Sequence, residues 1–138
     1  MDLYAFKIYM LDVGLLLAMT DLDASVIIDG NRIFAEFKGA LTEQYVLQQM
    51  IAELGVEPYY YTTANSTGEI DFMLQAPGSV IPVEVKAEEN LRAKSLRAFC
   101  EKYQPKHAVR TSMSDFREQD WMTNIPLYNI DRIGEYLK

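Results

Sequence analysis

The sequence predicts a single α/β domain whose elements after Gly39 run in the order αβββαβ, and three observations lead to this prediction. The chain has 138 residues, a length that suits one domain with one sizeable core. Three consecutive β-prone runs occupy the middle of the chain, within residues 57–86. Stretches with apolar residues at helical spacing flank these runs on both sides. No glycine-rich phosphate-binding loop occurs, which argues against a dinucleotide-binding fold.

The N-terminal part of the chain predicts one short strand followed by a helical turn. Residues 7–11 (KIYML) form a short, apolar, β-prone run. Asp12 and Gly14 end this run, and residues 15–19 then form an apolar turn of helix. Residues 20–30 contain three aspartates and a glycine, which predict loops.

A helix is predicted from residue 39 to residue 54. Its apolar residues fall at positions i, i+3, i+4 and i+7 and form one face, namely Leu47, Met50, Ile51 and Leu54. Gly55 follows at the position where a glycine ends a helix in the left-handed conformation.

Three strands follow this helix. Residues 57–63 are rich in tyrosine and threonine, and residues 64–68 (ANSTG) have turn chemistry. Residues 69–75 form the second run, which ends at Pro77 and Gly78. Residues 80–86 (VIPVEVK) form the third run.

The C-terminal third predicts a helix and two further strands. The helix has apolar residues at the same spacing, namely Leu96, Phe99, Cys100 and Tyr103, and Asn90 is its predicted N-cap. Strands are predicted at residues 107–111 and 126–130, and Asp131 is expected to cap a short closing helix.

The composition excludes several classes of site. One cysteine excludes an intrachain disulfide and a cysteine-rich zinc site, and one histidine excludes a two-histidine metal site. No apolar run is long enough to span a bilayer, and the first residues lack a signal-peptide layout, so we expect a cytoplasmic protein without a membrane segment.

The charge is unevenly distributed. The net charge of −7 argues against broad nucleic-acid binding driven by phosphate neutralisation. Residues 86–110, however, contain seven basic residues against three acidic ones. A solvated helix face is the simpler interpretation of this excess, and a local contact with a phosphate backbone is the alternative.

Four charged residues predict a candidate site. Side chains alternate along a strand, so Glu84 and Lys86 share one face of the third run. A hairpin between the second and third runs brings Asp71 beside Glu84, and a divalent cation relieves the repulsion between two close carboxylates. Carboxylate oxygens suit Mg²⁺. Glu43, on the preceding helix, is a candidate further carboxylate.

Such a set supports phosphodiester chemistry. A bound Mg²⁺ or Mn²⁺ ion generates a hydroxide and stabilises the charge at phosphorus, and Lys86 can orient the water or neutralise charge. Simpler roles stay open: Glu84 and Lys86 as a surface ion pair, Asp71 as a turn or capping residue, and Glu43 as an ordinary exposed helix glutamate.

The order Glu43, Asp71, Glu84-Val85-Lys86 resembles the PD-(D/E)XK nuclease superfamily. With the segments KIYMLDVGLL, GALTE, GEIDF, IPVEVK and KSLRAFCEKY, the chain is similar, over roughly residues 6–130, to an uncharacterised C-terminal domain that follows an AAA-type ATPase module in many prokaryotic proteins. One departure is that Ile70 stands where the superfamily motif has proline.

This resemblance implies a restriction-endonuclease-like sandwich, a mixed central sheet flanked by helices. Residues 1–138 are then one nuclease-like domain of a longer ATPase protein. The implied metal ligands are Asp71, Glu84 and Glu43, with Lys86 as the fourth catalytic residue. DNA and the ATPase module are the implied partners. Three alternatives stay open: metal-dependent DNA cleavage, a non-catalytic module that binds nucleic acid or protein, and a folded remnant without a site.

Overall fold

The core of the domain is a six-stranded mixed β-sheet. The computed structural model describes residues 6–20, 32–63, 68–87 and 92–138. The strands of the described residues are β1 (Tyr59–Thr62), β2 (Glu69–Ala76), β3 (Ser79–Val85), β4 (Val109–Ser112), β5 (Arg117–Glu118) and β6 (Thr123–Pro126). They lie side by side in the order β1-β2-β3-β4-β6-β5.

The sheet has an antiparallel half and a parallel centre. β1, β2 and β3 form an antiparallel meander, with Gly78 in the left-handed conformation at the β2–β3 turn. β3, β4 and β6 are parallel to one another, and β5 pairs with β6 in the antiparallel direction. The connection from β3 to β4 passes through a helix, as parallel neighbours require.

Three α-helices accompany the sheet in the described residues: α1 (Val13–Met19), α2 (Arg32–Gln49) and α3 (Lys94–Tyr103). A π-helical turn, Met50–Leu54, continues α2 and ends at Gly55, which has the predicted left-handed conformation. A 3-10 helix, Leu127–Tyr136, follows β6 and is kinked at Asn129. Within these ranges no helix is both long and apolar enough to cross a membrane.

Each face of the sheet buries its own apolar cluster. On the face covered by α2 and the 3-10 helix, the buried residues include Val46, Met50, Phe72, Leu74, Ile81, Val83, Val85, Val109, Ile125, Ile130 and Ile133. On the face covered by α3 they are Ile70, Ala93, Leu96, Phe99, Ala108 and Met122. The predicted α/β class with the order αβββαβ is therefore confirmed, and β5 and β6 extend it.

A bulge in β2 interrupts the regular alternation of side chains. Tyr59 of β1 pairs with Met73, but Tyr61 pairs with Ile70, so β2 has one extra residue opposite β1. A bulge of this kind bends a strand and changes the direction of a side chain. Here it separates Ile70, which packs under α3, from Phe72, which packs under α2, and Asp71 lies between them.

Two strand predictions are wrong. Residues 7–11 form no strand, because the backbone of Met10 is bonded on both sides by the Gln44 side chain: its N–H donates to Oε1 at 2.8 Å and its carbonyl accepts from Nε2 at 2.9 Å. The run predicted at residues 126–130 is mostly 3-10 helix, since the strand there is Thr123–Pro126.

The structure does not show Asp131 or Asn90 in the predicted capping positions. Asp131 does not begin the closing helix, which starts directly after Pro126. Asn90 lies outside the described residues, as do residues 21–30 of the predicted N-terminal loop and 64–67 of the predicted turn. The residue before α3 is Ala93, which offers no side-chain cap.

The cluster under α2 predicts a large cost for a cavity in β3. Ile81 is 1% exposed whereas its neighbour Val80 is 42% exposed. We expect Ile81→Ala to lower the free energy of unfolding by about 2–5 kcal/mol, because the transfer free energy is lost and a cavity remains. Urea denaturation measures this change, with Val80→Ala as the matched control at under about 1 kcal/mol. Equal losses in both variants would contradict the assignment of the two faces.

Candidate functional site

Asp71 is held at the end of the β2–β3 hairpin by a backbone amide. The backbone pairing of the two strands reaches Phe72 and Val83. Beyond this pair, the Asp71 side chain bonds to β3 in place of the backbone: its Oδ2 accepts a 2.7 Å hydrogen bond from the N–H of Val85. Val85 is the middle residue of the Glu84-Val85-Lys86 motif, so this bond attaches the aspartate directly to the motif.

Glu84 lies on the other face of β3, under α3. Its side chain is 6% exposed, and its Oε2 accepts a 3.1 Å hydrogen bond from the N–H of Leu96 in the first turn of α3. A carboxylate at this position stabilises a helix N-terminus. Oε1 of Glu84 contacts Nζ of Lys86 at 2.5 Å. The prediction that these two side chains share a face is confirmed.

Lys7 contacts three carboxylates of the site. Its Nζ lies 2.6 Å from Oε1 of Glu69, 3.2 Å from Oε2 of Glu43 and 3.7 Å from Oδ1 of Asp71. The Tyr9 hydroxyl donates to the same Glu43 oxygen at 3.2 Å. Glu43 and Asp71 are thus brought together through a lysine, and Glu84 and Lys86 pair with each other.

The pKa values show how these charges act on one another. Burial and then the negative charge of Glu43 raise the pKa of Asp71 to about 6, against the opposing effects of the Val85 amide and Lys7. Burial acts to lower the pKa of Lys7, but its hydrogen bond to Glu69 and the nearby charge of Glu43 leave that pKa above its ordinary value. The pKa of the Tyr9 hydroxyl is raised, mainly by burial.

A buried polar network lies beside Glu84 on the next strand. Arg110 of β4 pairs in register with Glu84, and burial lowers the pKa of its guanidinium while the charge of Glu84 raises it. Nε of Arg110 donates to Oδ1 of Asn124 at 2.9 Å, and Oγ of Ser112 donates to the same oxygen at 2.8 Å. This network places a positive charge next to Glu84 inside the sheet.

The carboxylates of Glu43, Asp71 and Glu84 are chemically suited to a divalent cation, but the fold separates Glu84 from the other two. Carboxylate oxygens are the ligands that Mg²⁺ prefers. In the described ranges, no three acidic, histidine or cysteine side chains are grouped closely enough to hold a metal ion. Lys7 instead neutralises Asp71 and Glu43, and the bonds to Leu96 and Lys86 draw Glu84 toward α3.

Sequence reasoning missed Lys7, Tyr9, Glu69 and Arg110 as parts of the site. The sequence predicts a strand for Lys7 and Tyr9, and the single lysine in the apolar run KIYML is the signal that indicates a partly buried ion pair. Glu69, two residues before Asp71, is a second signal. Glu69 and Asp71 lie close to Glu43 in the fold, and a nearby cation relieves the repulsion among these three carboxylates. Arg110 had no local signal, because its role depends on the pairing of β3 with β4.

Comparison with known proteins identifies a family. The family model described as "Domain of unknown function (DUF4143)" matches residues 38–130, more than half of the chain. The chain belongs to this family. The matched part of this DUF4143 domain contains Glu43, Asp71, Glu84 and Lys86, whereas Lys7 precedes it. No curated protein and no solved structure matches the chain.

The raised pKa of Asp71 predicts a pH-dependent stability. The ordinary pKa of an aspartate is about 3.8, whereas the pKa of Asp71 in the fold is about 6. Its contribution is therefore fully present below about pH 4 and is lost as the pH rises through about 6. Asp71→Asn cannot ionise, so we expect its stability relative to wild type to rise by on the order of 2–3 kcal/mol between about pH 4 and about pH 7.

Urea unfolding at several pH values measures this difference. Asp120→Asn, at an exposed position, is the matched control, and its curve should run parallel to that of wild type. Parallel curves for Asp71→Asn as well would show that Asp71 does not titrate in this range in the fold.

Proposed function

We propose that this DUF4143 domain is a PD-(D/E)XK-type nuclease domain that cleaves DNA phosphodiester bonds with Mg²⁺ or Mn²⁺, on a restriction-endonuclease-like sandwich. The observation that carries the proposal is the hydrogen bond from the Val85 amide to Asp71. It joins the aspartate of one strand to the centre of a Glu-x-Lys motif on the next. The mixed sheet with helices on both faces is compatible with that sandwich.

Each residue has a role in this proposal. Asp71, Glu84 and Glu43 would hold the metal ion, which supplies Lewis-acid activation of water and charge stabilisation at phosphorus. Lys86 directly follows β3, has a half-buried side chain and can orient a water molecule or neutralise charge that develops on the phosphate. The Leu96 amide in the first turn of α3 holds Glu84 in the described arrangement, and a metal ion shared with Asp71 would draw the Glu84 carboxylate away from that amide.

Lys7 has a separate role as a counter-ion. It neutralises Asp71 and Glu43 in the described arrangement, and a divalent cation would take over that role. Metal binding therefore requires the Lys7 ammonium to leave the carboxylates. Residues 6–12 have no regular secondary structure, so moving Lys7 breaks no helix and no strand.

The wider context is also a proposal. A nuclease domain of this kind would act as one part of a longer protein that includes an AAA-type ATPase module, with that module delivering the DNA. The whole protein with ATP, and the domain alone, are then the two forms in which activity is to be measured.

Cleavage of DNA tests the proposal directly. We expect Mn²⁺-dependent cutting of single- or double-stranded DNA, and a loss of at least about a hundredfold in rate for Asp71→Asn, Glu84→Gln and Lys86→Met, because each removes a ligand or a charge at the reacting phosphate. A gel assay with labelled DNA measures the rate.

Glu101→Gln, at an exposed position of α3, is the matched control and should cut DNA at the wild-type rate. Chelation of the metal should abolish cutting. Absence of cutting by the wild-type domain alone and by the ATP-supplied full protein would refute the catalytic proposal.

A second function is favoured by one observation. Lys7 already satisfies Asp71 and Glu43, as expected of an acidic cluster that stabilises a non-catalytic module for binding nucleic acid or protein. In that function the cluster fixes the N-terminal segment to α2 and β2, and no metal ion is needed.

A single substitution separates the two functions. Lys7→Met removes the internal cation and leaves three carboxylates without it, so we expect the free energy of unfolding at neutral pH to fall by about 1–3 kcal/mol. If the site binds metal, millimolar Mg²⁺ or Mn²⁺ should restore stability to the variant, because a ligand that binds only the folded state stabilises it.

Thermal unfolding with and without metal measures this effect, and Lys138→Met is the exposed control. Rescue of Lys7→Met alone supports the metal site. Destabilisation that no divalent cation relieves favours the non-catalytic module.

A further inference from the structure

A cavity opens between α3 and the ends of β1 and β2, next to the acidic cluster. Its volume is about 340 Å³, within the range of small-ligand sites. One wall comes from β1 and β2 and the other from successive turns of one side of α3. Glu69 lines the cavity and also binds Lys7, so the cavity and the acidic cluster share a residue.

The floor of the cavity is aromatic. Tyr61 meets Phe99 edge to face, with 5.1 Å between ring centroids, and Phe99 lies 4.6 Å from Tyr103 by the same measure. The hydroxyls of Tyr61 and Tyr103 are 3.0 Å apart and hydrogen-bonded. Side chains alternate along β1, so Tyr61 faces α3 and Tyr60 lies on the opposite face of the sheet. The Tyr60 ring centroid is 5.9 Å from Nζ of Lys7.

The α3 side of the cavity is basic. Lys94 and Lys102 line it, and both are exposed. Nζ of Lys102 stands 4.9 Å from the centroid of the Tyr103 ring. Lys94 begins α3, so the positive end of the helix dipole adds to its charge. Ala98, between these lysines on the same side, leaves the space open.

We propose that this cavity receives an unpaired base of a single-stranded nucleic acid, with the adjoining phosphates on Lys94 and Lys102. Aromatic faces stack on bases of any sequence, and lysines beside them follow the phosphate backbone. A base in a duplex is paired and stacked, so it does not enter such a cavity. Two of the seven basic residues in residues 86–110, Lys94 and Lys102, line this cavity.

The choice of a nucleic-acid strand rests on the proposed function. Glu69 lines the cavity and binds Lys7, which also contacts Asp71, so a strand held in the cavity lies next to the candidate site. The cavity thus selects single-stranded segments or frayed ends as the substrate. Binding is separable from cleavage, since the cavity contains none of the four proposed catalytic residues.

Fluorescence anisotropy tests this inference. The probe is a fluorescein-labelled oligothymidylate of about 12 nucleotides, titrated with the 138-residue protein in a chelator at low salt, with a duplex of the same length beside it. We expect the single strand to bind at least about tenfold more tightly than the duplex. Ala98→Trp should weaken single-strand binding by about tenfold or more, because the indole fills the cavity.

Two variants make the result independent of that one substitution. Lys94→Gln with Lys102→Gln should weaken binding by about tenfold and flatten its salt dependence, whereas Lys106→Gln, exposed beyond the end of α3, should change it by less than about twofold. Thermal unfolding checks that each variant is folded. Single-strand binding unchanged in folded Ala98→Trp and in the double variant overturns the inference.

Two further outcomes overturn it as well. Equal affinity for duplex and single strand shows that no unpaired base is recognised. Competition by thymidine monophosphate at equal nucleotide concentration assigns the cavity to a free nucleotide rather than a strand. Failure of the proposed function is distinct: cavity-dependent binding by the wild-type domain, with no cutting by that domain or by the ATP-supplied full protein, supports the cavity and refutes the nuclease. Cutting that Ala98→Trp leaves unchanged refutes the cavity alone.

Discussion

The organisation of this domain depends on how it accommodates one carboxylate, that of Asp71, in a position largely shielded from water. Only 15% of its side chain is exposed, and Glu43 lies close by, so ionisation is costly. Two groups offset that cost, the amide of Val85 and the ammonium of Lys7. The first requires β2 to bulge and β3 to continue beyond the pairing, and the second requires the N-terminal segment to lie across α2.

Most of the fold follows from local sequence signals, and the exceptions have one physical cause. The three central strands and α3 have strong periodicity, and Gly55 ends the helical segment as glycine at that position does. The segment at residues 7–11 has the composition of a strand, yet the Gln44 side chain occupies the bonds of Met10 that a neighbouring strand would use. Such competition from a distant side chain leaves no trace in local propensity.

The sequence predicts part of the candidate site as residues, but not how those residues are arranged. Alternation along β3 sufficed to place Glu84 and Lys86 on one face. Alternation alone does not reveal the bulge that turns Asp71 toward α2, nor the lysine 36 residues before Glu43 that binds it. Lys7 brings Glu43 and Asp71 together, and Arg110 lies beside Glu84, only because distant parts of the chain pair with each other.

The bond between Glu84 and the Leu96 amide makes α3 a helix whose N-terminal cap comes from a strand. Ala93 offers no cap of its own, so the first turn of α3 is completed only when β3 is in place. That turn carries Lys94 and Ser95, which border the cavity. Any cation that draws on the Glu84 carboxylate therefore loosens this turn, and by reciprocity any occupant that rigidifies the turn alters the affinity of the carboxylate for cations. Hydrogen exchange at a single amide, that of Leu96, reports on both events.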